Sequence, residues 1–540
     1  MDEQKTVAKG AFWALLSQLG VKFIAFIYLV IIAHFLPTET VGLFYLALSV
    51  VGILFLFTDF GITFSLNRYV PFYHAKNQFG NLRKLIRLVY AWGGGSTLLV
   101  SLLLFLFSDA LAIILSQPLL GPLFRWLAIW MFLQELFDIS RGVLTGMKKV
   151  KESQLLELVV NTIRLLFTFI AFFWVGFNIT ALVLPYLLSF FFGTLLSLYY
   201  VWKVIRQWPS APGKSILRYR DIGKEVVGFG FLVMVIFSIW TLTQYVDRIM
   251  INYLIPDPLT DLGVYTIAVG LAGLVFIFPS AISTIFFPVI SELYGKGKPK
   301  EMQSVTEISI KWLIMLSIPI TLILLVFPEE LLRLFYGQRY VEGYSVLVLF
   351  TMGFFTRSLS VLPGLVIATM RRLDIELKVA LLSTGLNIIF NWGLIPIWGI
   401  NGASLASFLS LFFVTIALFY YGKRLFGFSL RLSTFRPLLA GMATLLLLFL
   451  LKPFILTALS AAPVMEELEG LAGLIAQKIL KLLIFGLLFL VVSMAYFMAL
   501  LVFRVLGKEE ITVFQGALRR AKVPEKYVQY ANWLSHETRN

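Results

Sequence analysis

Three cationic side chains lie deep within apolar stretches that are long enough to cross a bilayer. Lys22 stands about halfway along SQLGVKFIAFIYLVIIAHFL, residues 17–36, while Arg164 and Arg357 each lie eight or more residues from the nearest end of their stretch. A charge near the middle of the hydrocarbon costs about 2.5 kcal/mol or more, so such groups usually face a partner or a water-filled cavity. The three positions therefore predict a basic, polar chamber suited to negative charge.

Acidic side chains in the same stretches are candidates for a proton or cation relay. Glu135, Asp138 and Arg141 recur at three-residue spacing, which places them on one face of a helix and permits an Asp138 to Arg141 pair. Because a desolvated carboxylate can titrate near neutral pH, Glu135 and Asp138 are the preferred relay candidates, with Asp59 as a further one. Structural ion pairing is the alternative for all of these acids.

Residues that could make or break covalent bonds are scarce. The chain has no Cys and three His, and it contains no Gly-rich phosphate loop with a Lys. His34 lies near an interface, where contact with head groups is favoured over a role as a base, and Asp247 with the adjacent Arg248 is expected to be a structural pair or a head-group contact. We therefore predict no catalytic residues, no metal and no cofactor.

Composition indicates a polytopic membrane protein. It is 59% hydrophobic and 14% charged, with a mean hydropathy of +0.89, which cannot form a soluble core and shell. A membrane helix needs about 20 apolar residues, and runs this long exclude barrel strands. We predict an all-α polytopic membrane protein with about fourteen transmembrane helices, at residues 11–36, 43–64, 88–107, 122–145, 156–176, 178–202, 225–251, 263–290, 307–327, 344–369, 377–397, 400–422, 436–456 and 477–503.

Basic residues are concentrated in alternate loops and at both ends of the chain. The opposite loops hold only Arg333, Arg339 and Lys452 among basic residues, together with many acids. Because loops rich in Lys and Arg stay in the cytoplasm, both termini are predicted to be cytoplasmic. The net charge of +16 then reflects membrane insertion and contact with anionic lipids, and we expect no nucleic acid partner.

The sequence contains an internal duplication. VGLFYLALSVVGILFLF, from Val41, resembles LGVYTIAVGLAGLVFIF, from Leu262, and Gly42 and Gly263 are equivalent when the two segments are aligned without a gap. TGMKKV and ATMRRL match at nearly the same offset along the chain. Each copy holds an even number of helices, so both copies have the same orientation and an axis along the membrane normal. We predict a lobe at 1–210, a cytoplasmic linker at 211–224, a second lobe at 225–430, two further helices at 431–503 and a basic cytoplasmic tail at 504–540.

The duplication also aligns polar groups within the membrane. In the register that aligns TGMKKV with ATMRRL, Gln134 is equivalent to Arg357, and Arg164 is equivalent to Asn387. Lys22 aligns with a neutral threonine. At each of these equivalent positions both copies therefore have a polar residue, but only one copy has a charged one. Gln134 and Asn387 therefore join Lys22, Arg164 and Arg357 as predicted lining of the chamber.

Several segments carry a family resemblance. VDRIMINYLIPDPLTDLGVYTIAVGLAGLVFIFPSAISTIFFPVISELYGKGK, LLRLFYGQRYVEGYSVLVLF and LKVALLSTGLNIIFNWGLIP resemble Wzx-type polysaccharide flippases of the multidrug/oligosaccharidyl-lipid/polysaccharide exporter superfamily, up to about residue 430. The resemblance implies two six-helix lobes in a V around a cationic cavity, and alternating access that moves a polyprenyl-linked oligosaccharide from the cytoplasmic to the outer leaflet. Lys22, Arg164 and Arg357 would then bind its phosphates.

Two alternative functions stay open. A multidrug exporter of the same superfamily would favour an acidic lining for cationic cargo, which the three deep cations disfavour. A membrane glycosyltransferase or polysaccharide polymerase would need catalytic acids or a His in a substantial outer loop, and the outer loops here are short. We therefore expect a transporter rather than an enzyme, with glycosyltransferases of polysaccharide assembly as further partners.

Overall fold

A computed structural model describes residues 2–58, 61–209, 217–427, 432–460, 471–503 and 505. The described residues form helices joined by short turns and contain no strand. The all-α prediction is confirmed, because without water in the bilayer each backbone N–H and C=O must pair within its own helix. The first part of the predicted linker, Asp59, and nearly all of the predicted tail lie outside the described residues.

The first ten α-helices are α1 (Asp2–Phe35), α2 (Thr38–Phe55), α3 (Ile62–Ala75), α4 (Phe79–Leu106), α5 (Ser108–Ile114), α6 (Leu120–Gly146), α7 (Val150–Trp174), α8 (Thr180–Arg206), α9 (Tyr219–Leu254) and α10 (Leu259–Ala272). They are followed by α11 (Ile277–Gly295), α12 (Pro299–Val326), α13 (Pro328–Tyr336), α14 (Tyr344–Thr369), α15 (Leu373–Phe426), α16 (Leu432–Ser460) and α17 (Leu471–Val502).

Eleven stretches of the described chain are long and apolar enough to cross a membrane. One of them, α15, is two helices in sequence, because Gly399 breaks the helical backbone with φ 56° and ψ −136°. The predicted second span runs to residue 64, but α2 ends at Phe55, and α3 begins after Gly61 in the left-handed region. The protein is a multi-pass membrane protein; fourteen crossings and cytoplasmic termini stay predictions.

Packing divides the chain into two compact units. The first comprises Met1–Leu271 and Arg371–Val414, and the second comprises Ala272–Met370 and Thr415–Asn540. In the first unit α6 packs against α4, α7 and α8, and α7 also packs against α1. In the second unit α12 packs against α11, α14 and α16. The lobes predicted at 1–210 and 225–430 follow the sequence repeat rather than this packing, and they stay predictions.

The backbone supports the duplication. A positive φ is uncommon outside glycine, so its recurrence at equivalent positions is informative. The equivalent pairs keep nearly the same offset along the chain as the sequence repeat. They are Asn77 (54°) and Gly297 (65°), Ser116 (55°) and Gly337 (97°), Lys148 (60°) and Arg371 (59°), and Gly176 (88°) and Gly399 (56°).

Equivalent residues of the two copies also meet inside the first unit. A Cβ atom on Gly42 would lie 2.0 Å from the carbonyl oxygen of Leu259, and one on Gly263 would lie 2.2 Å from the carbonyl oxygen of Thr38. Thr38 and Leu259 are themselves equivalent in the register that aligns the two glycines. Helices α2 and α10 therefore cross in direct backbone contact about a local twofold relation, which only glycine permits at these two positions.

Polar contacts accompany this crossing. The Thr260 hydroxyl donates to the Glu39 carboxylate at 2.8 Å, and these two residues are also equivalent in the repeat. Near the end of α9, the buried Asn252 amide donates to the carbonyl oxygen of Leu115 at 2.9 Å. Both contacts join the first repeat copy to the second within one compact unit.

Candidate functional site

Arg164 lies on α7 in the interior of the first unit. Its Nη2 donates to the Asn161 side-chain oxygen at 2.6 Å. The guanidinium carbon is 5.2 Å from the centre of the Tyr28 ring and 4.6 Å from that of the Tyr186 ring. Both rings are nearly fully buried, so the charge rests on two π faces within a packed helix bundle.

Gln134 and Glu135 are consecutive on α6 and face different neighbours. The Gln134 Oε1 atom is buried without a hydrogen-bond partner among the described residues. Glu135 is 1% exposed, and its Oε1 would lie 3.1 Å from a Cβ atom on Gly93 of α4. Glu135 is thus enclosed between α4 and α6, and its role in a relay stays a prediction.

The predicted pair of Asp138 and Arg141 is confirmed, with nitrogen and oxygen 3.7 Å apart. Arg141 also pairs with Glu157 of α7 and donates to the carbonyl oxygen of Ser153 at 3.3 Å. This half-buried group joins α6 to α7. Its structural role is therefore clear, and a relay through Asp138 stays a prediction.

Lys22 is half-buried on α1. The helix is held to α7 by the Ser17 hydroxyl, which donates to the carbonyl oxygen of Gln154 at 2.8 Å, and by Gly20, where a Cβ atom would lie 3.0 Å from the Leu158 side chain. Lys22, Arg164 and Gln134 thus belong to the same compact unit.

Arg357 belongs to the second unit, on α14. It is half-buried, and its Nη1 donates to the Ser360 hydroxyl at 3.0 Å. Ser360 lies 3.4 Å from the Thr415 hydroxyl. The side chain is therefore held where α14 meets the C-terminal half of α15.

A buried carboxylate is the main polar feature that the sequence reasoning missed. Asp247 of α9 is 4% exposed, and one of its oxygens accepts hydrogen bonds from Tyr265 at 2.7 Å and from Ser407. Its other oxygen accepts from the Asn391 amide at 2.7 Å. Asn387, predicted as chamber lining, accepts from Asn391 and donates to Ser407, both at 3.2 Å. We call these five residues the Asp247 cluster.

Of the two expectations for Asp247 and Arg248, a structural pair or head-group contacts, the pair does not form, because the two side chains leave α9 toward different neighbours. Arg248 donates to Thr266 at 3.1 Å and to Ser49 at 3.4 Å, and it lies over the Tyr45 ring. Adjacent helical residues point about 100° apart, which explains the separation. Asn387 and Asn391, one turn apart in an apolar helix, were the sequence signal that could have revealed the cluster.

The Asp247 cluster has the chemistry of a site for a proton or a monovalent cation. It supplies one carboxylate, a phenol, a hydroxyl and two amides, and the Asn391 side-chain oxygen has no hydrogen-bond partner within the described part of the chain. Oxygen donors of this kind suit hard cations. The described residues contain no group of three His, Cys, Asp or Glu that could hold a metal ion.

Comparison with known proteins identifies similar families and folds. The family model described as polysaccharide biosynthesis protein matches residues 7–294, and the MatE model matches residues 232–393. The uncharacterized membrane protein MJ1068 of Methanocaldococcus jannaschii is 23% identical over 79% of this chain and 85% of its own length. The probable low-salt glycan biosynthesis flippase Agl15 of Haloferax volcanii is 26% identical over 30% of this chain and 34% of its own length.

Solved structures share the fold. The lipid II flippase MurJ in an inward closed conformation matches with a TM-score of 0.66, at 15% identity over 90% of this chain and 98% of that one. A multidrug resistance MATE transporter in an inward-facing conformation matches with a TM-score of 0.55, at 15% identity over 78% of this chain and 94% of that one. These folds are those of transporters and flippases rather than enzymes.

Proposed function

Because the chain belongs to the family of polysaccharide biosynthesis proteins and is a flippase-type transporter, we propose that it moves a polyprenyl-linked oligosaccharide from the cytoplasmic to the outer leaflet by alternating access. The substrate joins an apolar chain to a phosphate or pyrophosphate and to sugars. Membrane lipids would surround the apolar chain, and the phosphate groups and sugars would pass along a polar, positively charged path.

The observation that carries this proposal is the set of cations within the membrane-spanning helices. Lys22, Arg164 and Arg357 are half-buried on α1, α7 and α14. Arginine binds phosphate oxygens as a planar fork, and lysine binds them as a point charge. Gln134 and Asn387 would add neutral polar contacts for sugar hydroxyls.

Coupling to a proton or a monovalent cation is assigned to the Asp247 cluster in this proposal. Binding of a proton or a cation neutralises a carboxylate that is buried among neutral donors, which changes the free energy of the conformation that buries it. Binding at the Asp247 cluster can therefore bias the equilibrium between conformations. Glu135, Asp138 and Asp59 are the alternative coupling residues. Glycosyltransferases that assemble the polysaccharide are the proposed protein partners.

The proposal is tested by mass spectrometry of lipids that copurify with the protein from its native membrane. We expect a polyprenyl phosphate or pyrophosphate that carries sugars, enriched over an unrelated membrane protein purified in the same detergent. Enrichment of phospholipids alone in both samples would contradict the proposed substrate.

A cation-coupled multidrug exporter is the second candidate, favoured by the MatE match over residues 232–393 and by the Asp247 cluster. Cells that express the protein would then extrude cationic dyes faster than cells that express Asp247→Asn. Equal efflux from both would exclude this alternative.

A further inference from the structure

One layer of the first unit encloses polar groups that lack partners. Where α6, α7 and α8 pack, a Cβ atom on Gly193 would lie 2.3 Å from Val160 and 3.4 Å from Phe137. Arg164 lies one helical turn beyond Val160 on α7, and Gln134 lies one turn before Phe137 on α6. These two side chains therefore share one level of the bundle, next to the Tyr186 ring.

Aromatic rings pack against one another at this level of the bundle. The Trp130 ring centre is 5.8 Å from the Tyr186 ring centre and 5.8 Å from that of Phe190, edge to face in both cases. Tyr28 completes the enclosure, 6.1 Å from Tyr186. We call Arg164, Gln134, Trp130, Tyr28 and Tyr186 the Arg164 layer.

Four buried atoms of the Arg164 layer have no hydrogen-bond partner among the described residues: Nε of Arg164, Nε1 of Trp130, Oε1 of Gln134 and the hydroxyl oxygen of Tyr28. The first two are N–H donors. Rotating the Gln134 amide by half a turn exchanges its oxygen for a third donor, since the two ends of an amide are assigned from hydrogen bonding. A buried polar atom without a partner costs about 1–3 kcal/mol, and native proteins rarely leave several together.

The charge of the layer is also uncompensated within the described part of the chain, where no carboxylate forms an ion pair with Arg164. The acids on the neighbouring turns face elsewhere: Glu157 pairs with Arg141, and Glu135 points toward Gly93. The contacts of Arg164 are the neutral Asn161 side chain and the Tyr28 and Tyr186 rings. An excess of one positive charge and several buried donors without a partner together favour an anionic ligand.

We propose that the Arg164 layer binds a small monovalent inorganic anion, of the chloride class, in the substrate-free protein. The energy of removing an ion from water grows with the square of its charge, so an aromatic enclosure with one cation favours a single negative charge over phosphate or sulfate. The positive edges of aromatic rings add attraction for an anion. This binding goes beyond the proposed transport of an oligosaccharide, and the substrate's phosphate would displace the ion when it reaches Arg164.

Bromide locates the site directly, because it replaces chloride and scatters anomalously. Crystals of the full chain grown in sodium bromide are expected to show an anomalous peak in contact with Arg164 Nε and Trp130 Nε1. The peak should be lost in Arg164→Gln. A wild-type crystal with no peak at the layer would overturn the proposal in favour of bound water.

Thermal unfolding in detergent tests the same site in solution. Replacing gluconate by chloride should raise the Tm of the wild-type protein and of the matched control Arg125→Gln, at a partly exposed arginine, by a few degrees, and it should leave that of Arg164→Gln unchanged. An equal chloride effect in Arg164→Gln would overturn the proposal. So would stabilisation through Arg164 by pyrophosphate but not by chloride, which would assign the layer to the substrate's phosphates.

A milder variant keeps the test valid if Arg164→Gln does not fold. Trp130→Phe retains the ring and removes one donor, so the chloride concentration at half effect should rise about fivefold. Trp126→Phe, an exposed tryptophan on the same helix, should leave it unchanged. No difference between these two variants would contradict a ligand at Nε1.

Discussion

Gly42 and Gly263, equivalent residues of the internal repeat, stand on opposite sides of the crossing of α2 and α10, and each lies against the backbone of the opposite helix. A duplicated helix thus packs on its own copy. The predicted cytoplasmic termini would place this contact toward the outer surface.

Gly42→Ala is predicted to weaken this crossing. The added Cβ would lie 2.0 Å from a carbonyl oxygen, and backbone cannot move aside as a flexible side chain can. Overpacking of this kind costs about 1–3 kcal/mol, so the Tm should fall. Gly95→Ala is the control, since a Cβ atom there meets no other atom within 4 Å. An equal Tm for both variants would show that the crossing tolerates side chains.

Gly399→Ala is predicted to destabilise the protein through the backbone rather than through packing. The nearest atom to a Cβ at this position is 3.8 Å away, in Ile255, so there is space. The values φ 56° and ψ −136° are nevertheless strained for any residue with a side chain, at a cost of about 1–3 kcal/mol. Chemical denaturation should show this loss, whereas Gly385→Ala, also on α15 and in open space, should be as stable as the wild type.

Lys452→Met is predicted to loosen α16. The Lys452 ammonium donates to the carbonyl oxygen of Val326 at 2.8 Å and lies 3.2 Å from the Glu330 carboxylate. Their side chains are 25% and 16% exposed, so loss of the charged hydrogen bonds should cost about 1.5–3 kcal/mol. A double-mutant cycle with Glu330→Gln checks whether the two residues act together; strictly additive effects would argue that they do not.

Asp247→Asn is predicted to remove the dependence of transport on a proton or cation gradient while the protein stays folded. Asparagine keeps the shape, and its one amide oxygen can still accept hydrogen bonds from Tyr265 and Ser407, but an NH2 group replaces the oxygen that accepts from Asn391, and the side chain carries no charge. The gradient-driven rate should fall about tenfold, equivalent to about 1.4 kcal/mol. Asp109→Asn, at an exposed acid paired with Arg125, is the control. Undiminished coupling in Asp247→Asn would return the role to Glu135 or Asp138.

Hydropathy and the repeat predicted the helices well, because burial in lipid demands long apolar runs and intrahelical pairing whatever the tertiary contacts. The pair of Asp138 and Arg141 was also predictable, since it depends on neighbouring turns of one helix. The end of α2 at Phe55 was not, because the apolar pattern continues past it.

The polar clusters depend on packing between distant segments. Asp247 meets Asn391 and Ser407 across 144 and 160 residues, whereas its sequence neighbour Arg248 suggested a local pair. The unpartnered atoms of the Arg164 layer become visible only when α6, α7 and α8 are packed together. The position of Arg164 along its apolar stretch predicted that it lies within the membrane. The sequence did not reveal which rings contact the charge.

The most direct test of the account is a flipping assay in liposomes with a polyprenyl-pyrophosphate oligosaccharide and the purified protein. We predict movement between leaflets for the wild type and for Arg125→Gln, which alters a partly exposed arginine. Lys22→Gln and Arg357→Gln should each lose at least about tenfold in rate, because each removes a proposed phosphate contact. Full activity of both glutamine variants, or no wild-type movement above protein-free liposomes, would contradict the account.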